Sequence, residues 1–165
     1  MQKPIINIDD LELATSAHAD KYEFRTGTIG RRIGARQLGY NLTVVPPGKC
    51  AFPFHNHRVN EEMFFVLSGE GEVRIGPERY AIRTGDVIAC PSGGPELAHQ
   101  IINTTQADLR YLAVSTMKTP EVAEYPDSRK FGLYARLSSD SAGTPVMMRV
   151  MFRCEDSLDY FDGED

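Results

Sequence analysis

The chain has 165 residues, 41% hydrophobic and 25% charged, with a formal net charge of −5. A domain near this length buries about 70% of its unfolded-chain surface, so one core suffices, and the composition excludes a disordered or collagen-like chain. The acids gather in a base-free tail (Glu155, Asp156, Asp159, Asp162, Glu164 and Asp165) and the rest is nearly neutral, so no nucleic-acid partner is expected.

Residues 1–37 read as an irregular N-terminal arm. Its start, MQKPIINIDDLELA, is acidic and has no long apolar run, which predicts neither a secretory signal nor a membrane span. Leu11, Leu13 and Ala14 suggest a short helical turn, and Gly27, Gly30 and Gly34 suggest turns. Arg25, Arg31, Arg32 and Arg36 are a local basic group that reads as a solvated loop.

From Leu38 the pattern has period two, with Leu38, Tyr40, Leu42 and Val44 on one face, until Pro46, Pro47 and Gly48 end the strand. Met63 to Leu67 reads as an apolar strand, Ser68 and Gly69 as a turn, and Glu72 to Ile75 as its hairpin partner. Tyr80 to Arg83, Val87 to Cys90, His99 to Asn103 and Leu109 to Ser115 continue the series, separated by turn residues. Short, closely spaced strands with no long amphipathic helix predict an all-β fold, an antiparallel jelly-roll barrel spanning residues 38–117.

Residues 118–165 read as a C-terminal extension that completes the barrel or an interface. Pro120, Pro126 and the SSDSAGTP run mark loops around a strand from Phe131 to Leu137. Val146 to Phe152 is apolar in both registers, so both faces are expected to be buried, one of them against a second subunit. No internal repeat is present, which favours one barrel over two.

The chemistry concentrates in HNHRVNEEMFFVLSGEG, His55 to Gly71, together with His99. Alternate residues of a strand share a face, so His55 and His57 point inward together while Glu62 returns from the next strand. By the same alternation Glu62, with Phe64 and Val66, faces inward and Glu61 outward. Three imidazoles and a carboxylate suit one divalent transition metal, with two positions of an octahedron left over.

Gly48, His55, His57, Glu62 and Gly69 form one motif, and Gly85, Pro91, Gly93, His99 and Asn103 a second. Taken in order, they resemble the two motifs of the cupin superfamily, and the chain looks most like its small single-domain bacterial members of uncharacterised function. The Gly48–His55 interval is one residue longer than usual, and Gly93–His99 carries three extra residues. The resemblance implies a double-stranded β-helix (jelly-roll) barrel, with His55, His57, Glu62 and His99 as metal ligands. It also implies iron or manganese ahead of zinc, nickel or cobalt, and a homodimer.

Gly69, Gly85 and Asn103 read as turn and packing residues. Tyr40, Tyr111 and Arg136 can line a substrate pocket, although packing or surface roles are the simpler reading for each. His18 reads as a solvated arm residue. Cys50, Cys90 and Cys154 are odd in number and widely separated, which predicts neither a disulfide framework nor a structural zinc site and points to a reducing cytoplasm. No phosphate loop, nucleophile elbow or dinucleotide fingerprint is present. The sequence therefore predicts a metal-binding cupin enzyme acting on a small polar or carboxylated molecule, by dioxygenase, isomerase, decarboxylase or lyase chemistry; a non-catalytic binding or sensing module is the alternative.

Overall fold

The computed structural model describes residues 3–139 and 145–164. Among them the chain is mostly β. In order the strands are β1 (Ala14–His18), β2 (Tyr22–Thr28), β3 (Leu38–Val45), β4 (Asn56–His57), β5 (Glu62–Ser68), β6 (Glu70–Ile75) and β7 (Glu78–Arg83). There follow β8 (Val87–Cys90), β9 (His99–Ile102), β10 (Leu109–Thr116), β11 (Glu121–Tyr125), β12 (Lys130–Ser139) and β13 (Pro145–Phe152). They form antiparallel sheets in the orders β1-β2-β3-β10-β5-β8, β13-β12-β11-β4 and β7-β6-β9.

The barrel interior is filled by Val45, Phe64, Val66, Val73, Ile82, Ile101, Leu109 and Tyr111. Fully burying one such aliphatic or aromatic side chain stabilises the fold by about 1.5–3 kcal/mol. The alternation predicted for β5 holds: Phe64 and Val66 are buried on the face that carries Glu62, and Glu61 is exposed.

Three local expectations are corrected. The stretch 1–37 is not an irregular arm with a helical turn at Leu11. β1 and β2 form a hairpin whose second strand pairs with β3, Gly27 opposite Leu42. The preceding segment lays Leu11 against Leu42, with Ile6, Ile8, Leu13 and Leu67 beside them. β3 is therefore covered on both faces. Thr43 and Val45 are as buried as Leu42 and Val44, which a one-sided period-two pattern did not foresee.

The hairpin expected between β5 and the strand after it does not form. Gly69 alone separates them, too short a link for a two-residue hairpin turn. At φ +88° it turns the chain from one sheet into another, so β5 pairs with β10 and β8 while β6 pairs with β7 and β9. A side chain there would also run into the carbonyl of Asp108.

The third correction is in the C-terminal extension. Residues 121–125, read as irregular, form β11, which pairs with β4 through Ala123 and His57. β13 pairs with β12, yet Val146, Met147, Val150, Met151 and Phe152 are each at least 40% exposed, so its two faces are not buried within this chain. Most of the SSDSAGTP turn, and Asp165 of the acidic tail, lie outside the described residues.

Candidate metal centre

The site is assembled from three strand ends. His55 precedes β4 and exchanges two backbone hydrogen bonds with His99, His55 N–H to His99 O at 3.2 Å and His99 N–H to His55 O at 2.7 Å. His57 ends β4, opposite Ala123. Between the histidines, Asn56 points the other way, wholly buried, and its Nδ2 donates to Gly93 O at 2.8 Å. Gly93 N–H in turn donates to His57 O at 2.8 Å. The loop of the second motif is thus bonded to the strand of the first. The three extra residues before His99 fold into a 3₁₀ turn, Pro95–Leu97, and His99 still opens β9.

Three imidazole nitrogens converge on one carboxylate oxygen. Glu62 Oε2 lies 3.0 Å from His99 Nε2, 3.4 Å from His57 Nε2 and 4.0 Å from His55 Nε2. The ligand atoms of His55, Glu62 and His99 all lie within 4.8 Å of one another, close enough to hold a metal ion. His57 stands beside this group through its contact with Glu62.

The electrostatics match a cation site. Burial opposes ionisation of Glu62, but hydrogen bonds from His57 and His99 outweigh it and hold the carboxyl well below the usual range. For His55, burial, with repulsion from His99 and His57, brings the pKa down to about 4, leaving a neutral imidazole with a free lone pair at pH 7. Burial also disfavours the charged form of His57, yet Glu62 and Glu121 on its two sides outweigh that and raise its pKa. A neutral imidazole and an ionised carboxylate are the forms in which these side chains bind a divalent metal.

A second layer of contacts holds His57. Glu121 at the start of β11 is 5% exposed. Its Oε1 accepts the backbone N–H of Arg58 and of Val59, both at 3.1 Å, and its Oε2 accepts that of Asn60 at 2.7 Å and the Asn60 side-chain amide. Oε2 also faces His57 Nδ1 at 3.6 Å, a buried nitrogen with no hydrogen-bond partner at normal distance. His55 Nδ1 lies 2.8 Å from Pro53 O. Both rings therefore turn Nδ1 outward and Nε2 toward Glu62, an orientation that leaves the two Nε2 atoms facing the carboxylate where a metal could be held.

The group opens into a cavity of about 270 Å³ whose other polar lining includes Thr26, Asn41, Thr43, Gln100, Tyr125 and Tyr134. Tyr125 stacks on His55 with ring centroids 5.8 Å apart, and its hydroxyl is 3.1 Å from that of Tyr134. Burial and the Tyr134 hydroxyl push the Tyr125 phenol upward, so it stays protonated. Among the described residues, no charged side chain other than Glu62 and the histidines lines the cavity.

Of the pocket residues named from sequence, Tyr111 lines the cavity. Tyr40 packs in the outer cluster, and Arg136 is exposed and bonded to Ser139. Sequence reasoning missed Glu121, Tyr125 and Tyr134 because β11 and its neighbour carry no histidine or spacing signal. Asn103 plays the expected turn role: Nδ2 donates to Val45 O at 2.8 Å and Ala107 O at 2.7 Å, and Oδ1 accepts Thr105 N–H at 3.0 Å. All three cysteines are free, with Cys50 and Cys90 buried. No helix among the described residues is long and apolar enough to cross a membrane.

A jelly-roll barrel with convergent histidines and a glutamate at its mouth is similar to the barrels of cupins. Residues 41–115 match the Cupin domain family. It is 36% identical over 70 residues to the oxalate-binding protein of Thermotoga maritima, covering 42% of this chain and 54% of that protein. To quercetin 2,3-dioxygenase of Bacillus subtilis it is 30% identical over 86 residues, 50% of this chain and 26% of that one. The matches thus span about half, or less, of these relatives. A crystal structure from Silicibacter pomeroyi, a sugar phosphate isomerase of the cupin superfamily, superposes with a TM-score of 0.75 at 24% identity, covering 96% of this chain and 98% of the other.

Proposed function

We propose that the protein is a metal-dependent cupin enzyme that binds one divalent transition metal through His55, His57, Glu62 and His99 and acts on a small polar or carboxylated molecule. The observation that carries this reading is the convergence of three imidazole Nε2 atoms on one oxygen of Glu62, at a cavity of the barrel. Iron or manganese is favoured, with zinc, nickel or cobalt as the other fits to such a donor set. Bound there, the metal supplies Lewis acidity, and a redox-active ion supplies one-electron chemistry with dioxygen.

The chain's own residues define what enters. A cavity of about 270 Å³ lies at the small end of ligand pockets and suits a compact molecule. Asn41, Thr43 and Gln100 present amide and hydroxyl groups, and the Tyr125 and Tyr134 hydroxyls, 3.1 Å apart, add a hydrogen-bonding pair beside His55. With no lysine or arginine in its lining, this cavity leaves a substrate's negative charge to be met by the metal or by groups beyond it.

Likeness to an oxalate-binding protein favours a second reading in which the site binds or senses a small molecule without turning it over. Homodimerisation through the exposed apolar β13 is part of the proposal. So is residence in a reducing cytoplasm, which three free cysteines support. Elemental analysis of wild type and His57→Ala tests the centre: a near-stoichiometric metal should be lost in the variant. No metal after reconstitution with Fe(II), Mn(II), Ni(II) and Zn(II) would overturn it. Product formation by the metal-loaded protein separates enzyme from binding module.

A further inference from the structure

Beside the metal cavity lies another, of about 390 Å³, between the β1–β2 hairpin, residues 51–54 and the turn from β11 to β12. The two cavities share one wall residue, Phe52, which is 40% exposed and packs on Phe24 with ring centroids 4.7 Å apart. Residues 51–54 run directly into His55, and the Phe52 carbonyl accepts from Gln100 Nε2 at 2.7 Å. The partition is thus a side chain at a solvent-open edge, and a molecule passing it touches both spaces.

The charge in the two cavities is complementary. Among the described residues, the metal cavity has no lysine or arginine in its lining, and the neighbouring one has Lys21 and Lys130. Neither lysine has a carboxylate partner among the described ion pairs. Their ammonium groups lie 5.2 Å from the ring centroid of Tyr22 and 5.1 Å from that of Tyr125 respectively. Tyr125 is the residue stacked on His55, so Lys130 stands one ring away from the histidine group. The one carboxylate lining this cavity, Asp127, is already engaged by Arg74 through bonds of 2.8 and 3.1 Å. Ser16 and Ser128 add hydroxyl groups, and His18 an imidazole.

We propose that the two cavities are halves of one substrate site, and that the substrate is a small polar phosphomonoester. Lys21 and Lys130 hold its dianionic end, and its oxygen-rich end reaches His55, His57, Glu62 and His99. Two ammonium groups match two negative charges, and serine hydroxyls donate to the remaining phosphate oxygens. This inference rests on the metal centre proposed above and adds the substrate class. It also gives the N-terminal hairpin a task beyond covering the barrel.

The test is calorimetric titration of inorganic phosphate into metal-free protein, where the metal cannot serve as the anion's ligand. Wild type should bind phosphate saturably at one site, Lys21→Gln/Lys130→Gln should bind it at least tenfold more weakly, and Lys21→Arg/Lys130→Arg should retain most of the affinity. Equal binding by wild type and the glutamine variant, no binding by wild type, or complete reversal by chloride at matched ionic strength would overturn the proposal. Tighter binding of malonate than of phosphate through the same lysines would overturn the phosphomonoester in favour of a dicarboxylate. Metal content of the glutamine variant, read separately, should equal that of wild type. Absence of metal from both proteins would count against the metal centre and leave the phosphate result to stand alone.

Discussion

Glu121→Gln should weaken the metal centre without touching any ligand. Oε2 of Glu121 accepts the Asn60 backbone N–H at 2.7 Å and the Asn60 side-chain amide, and faces His57 Nδ1 at 3.6 Å. Replacing that oxygen with an amide NH₂ sets donors against donors at a position 5% exposed. Hydrogen bonds to a charged acceptor contribute about 1.5–3 kcal/mol each, so losing the two from Asn60 should cost about 3–6 kcal/mol in urea unfolding of the metal-free protein. If the amide flips, Oε1 and Oε2 exchange roles and the loss falls on Arg58 and Val59 instead, at a smaller total because the Arg58 N–H keeps its bond to Val122 O at 2.9 Å. His57 then lacks the carboxylate that favours a proton on Nδ1 and a lone pair on Nε2, and removal of such an outer partner lowers metal affinity about 10–100-fold. Competitive titration with a chelator, at a urea-free temperature where the variant is folded, reads this directly. A folded variant with metal affinity within twofold of wild type would refute the orienting role and leave Glu121 as an anchor for residues 58–60 alone.

Glu62→Gln and Glu61→Gln should differ sharply, because the Glu62 carboxylate meets the histidines while Glu61 is exposed; elemental analysis should show metal lost only from the former, and equal loss would contradict the register of β5. In a thiol titration of the native protein at pH 8, Cys154 should react promptly and the other two only on unfolding. Burial raises the Cys50 thiol and, aided by the nearby Glu62 charge, pushes Cys90 up to about 12; fast reaction of three thiols would contradict this. Leu109→Ala, at a fully buried position, should lower stability by about 2–5 kcal/mol in urea, whereas Leu158→Ala, 75% exposed, should stay within about 0.5 kcal/mol; similar values for both would contradict the packing described.

The centre of the fold and the grouping of the candidate ligands were legible in the residues. Alternation alone separated Glu62 from Glu61, since a strand with one face in the core sends neighbouring side chains to opposite sides. Short strands punctuated by glycine and proline announced an antiparallel barrel. Asn103 and the positive-φ glycine Gly85 fell where turns were expected. The motif spacing survived a three-residue insertion, because the Pro95–Leu97 turn absorbs it before His99.

Local pattern could not decide pairing. Gly69 looked like a hairpin turn and is a corner between sheets, because strand partners are chosen by contacts distant in sequence. The same limit hid β11. Its segment is flanked by prolines and mixes charged with apolar residues, and its value lies in pairing with His57 and delivering Glu121 and Tyr125 to the site. Likewise, nothing local in residues 14–28 shows that they extend the β3 sheet or that Lys21 lines the same cavity as Lys130. The sequence by itself determined which side chains can bind a metal and which way each strand presents them, because those properties follow from residue chemistry and a two-residue period. Only the tertiary structure decided which carboxylate stands behind His57, which tyrosine lies on His55 and where the cations gather, because such neighbours are set by chain closure across tens of residues.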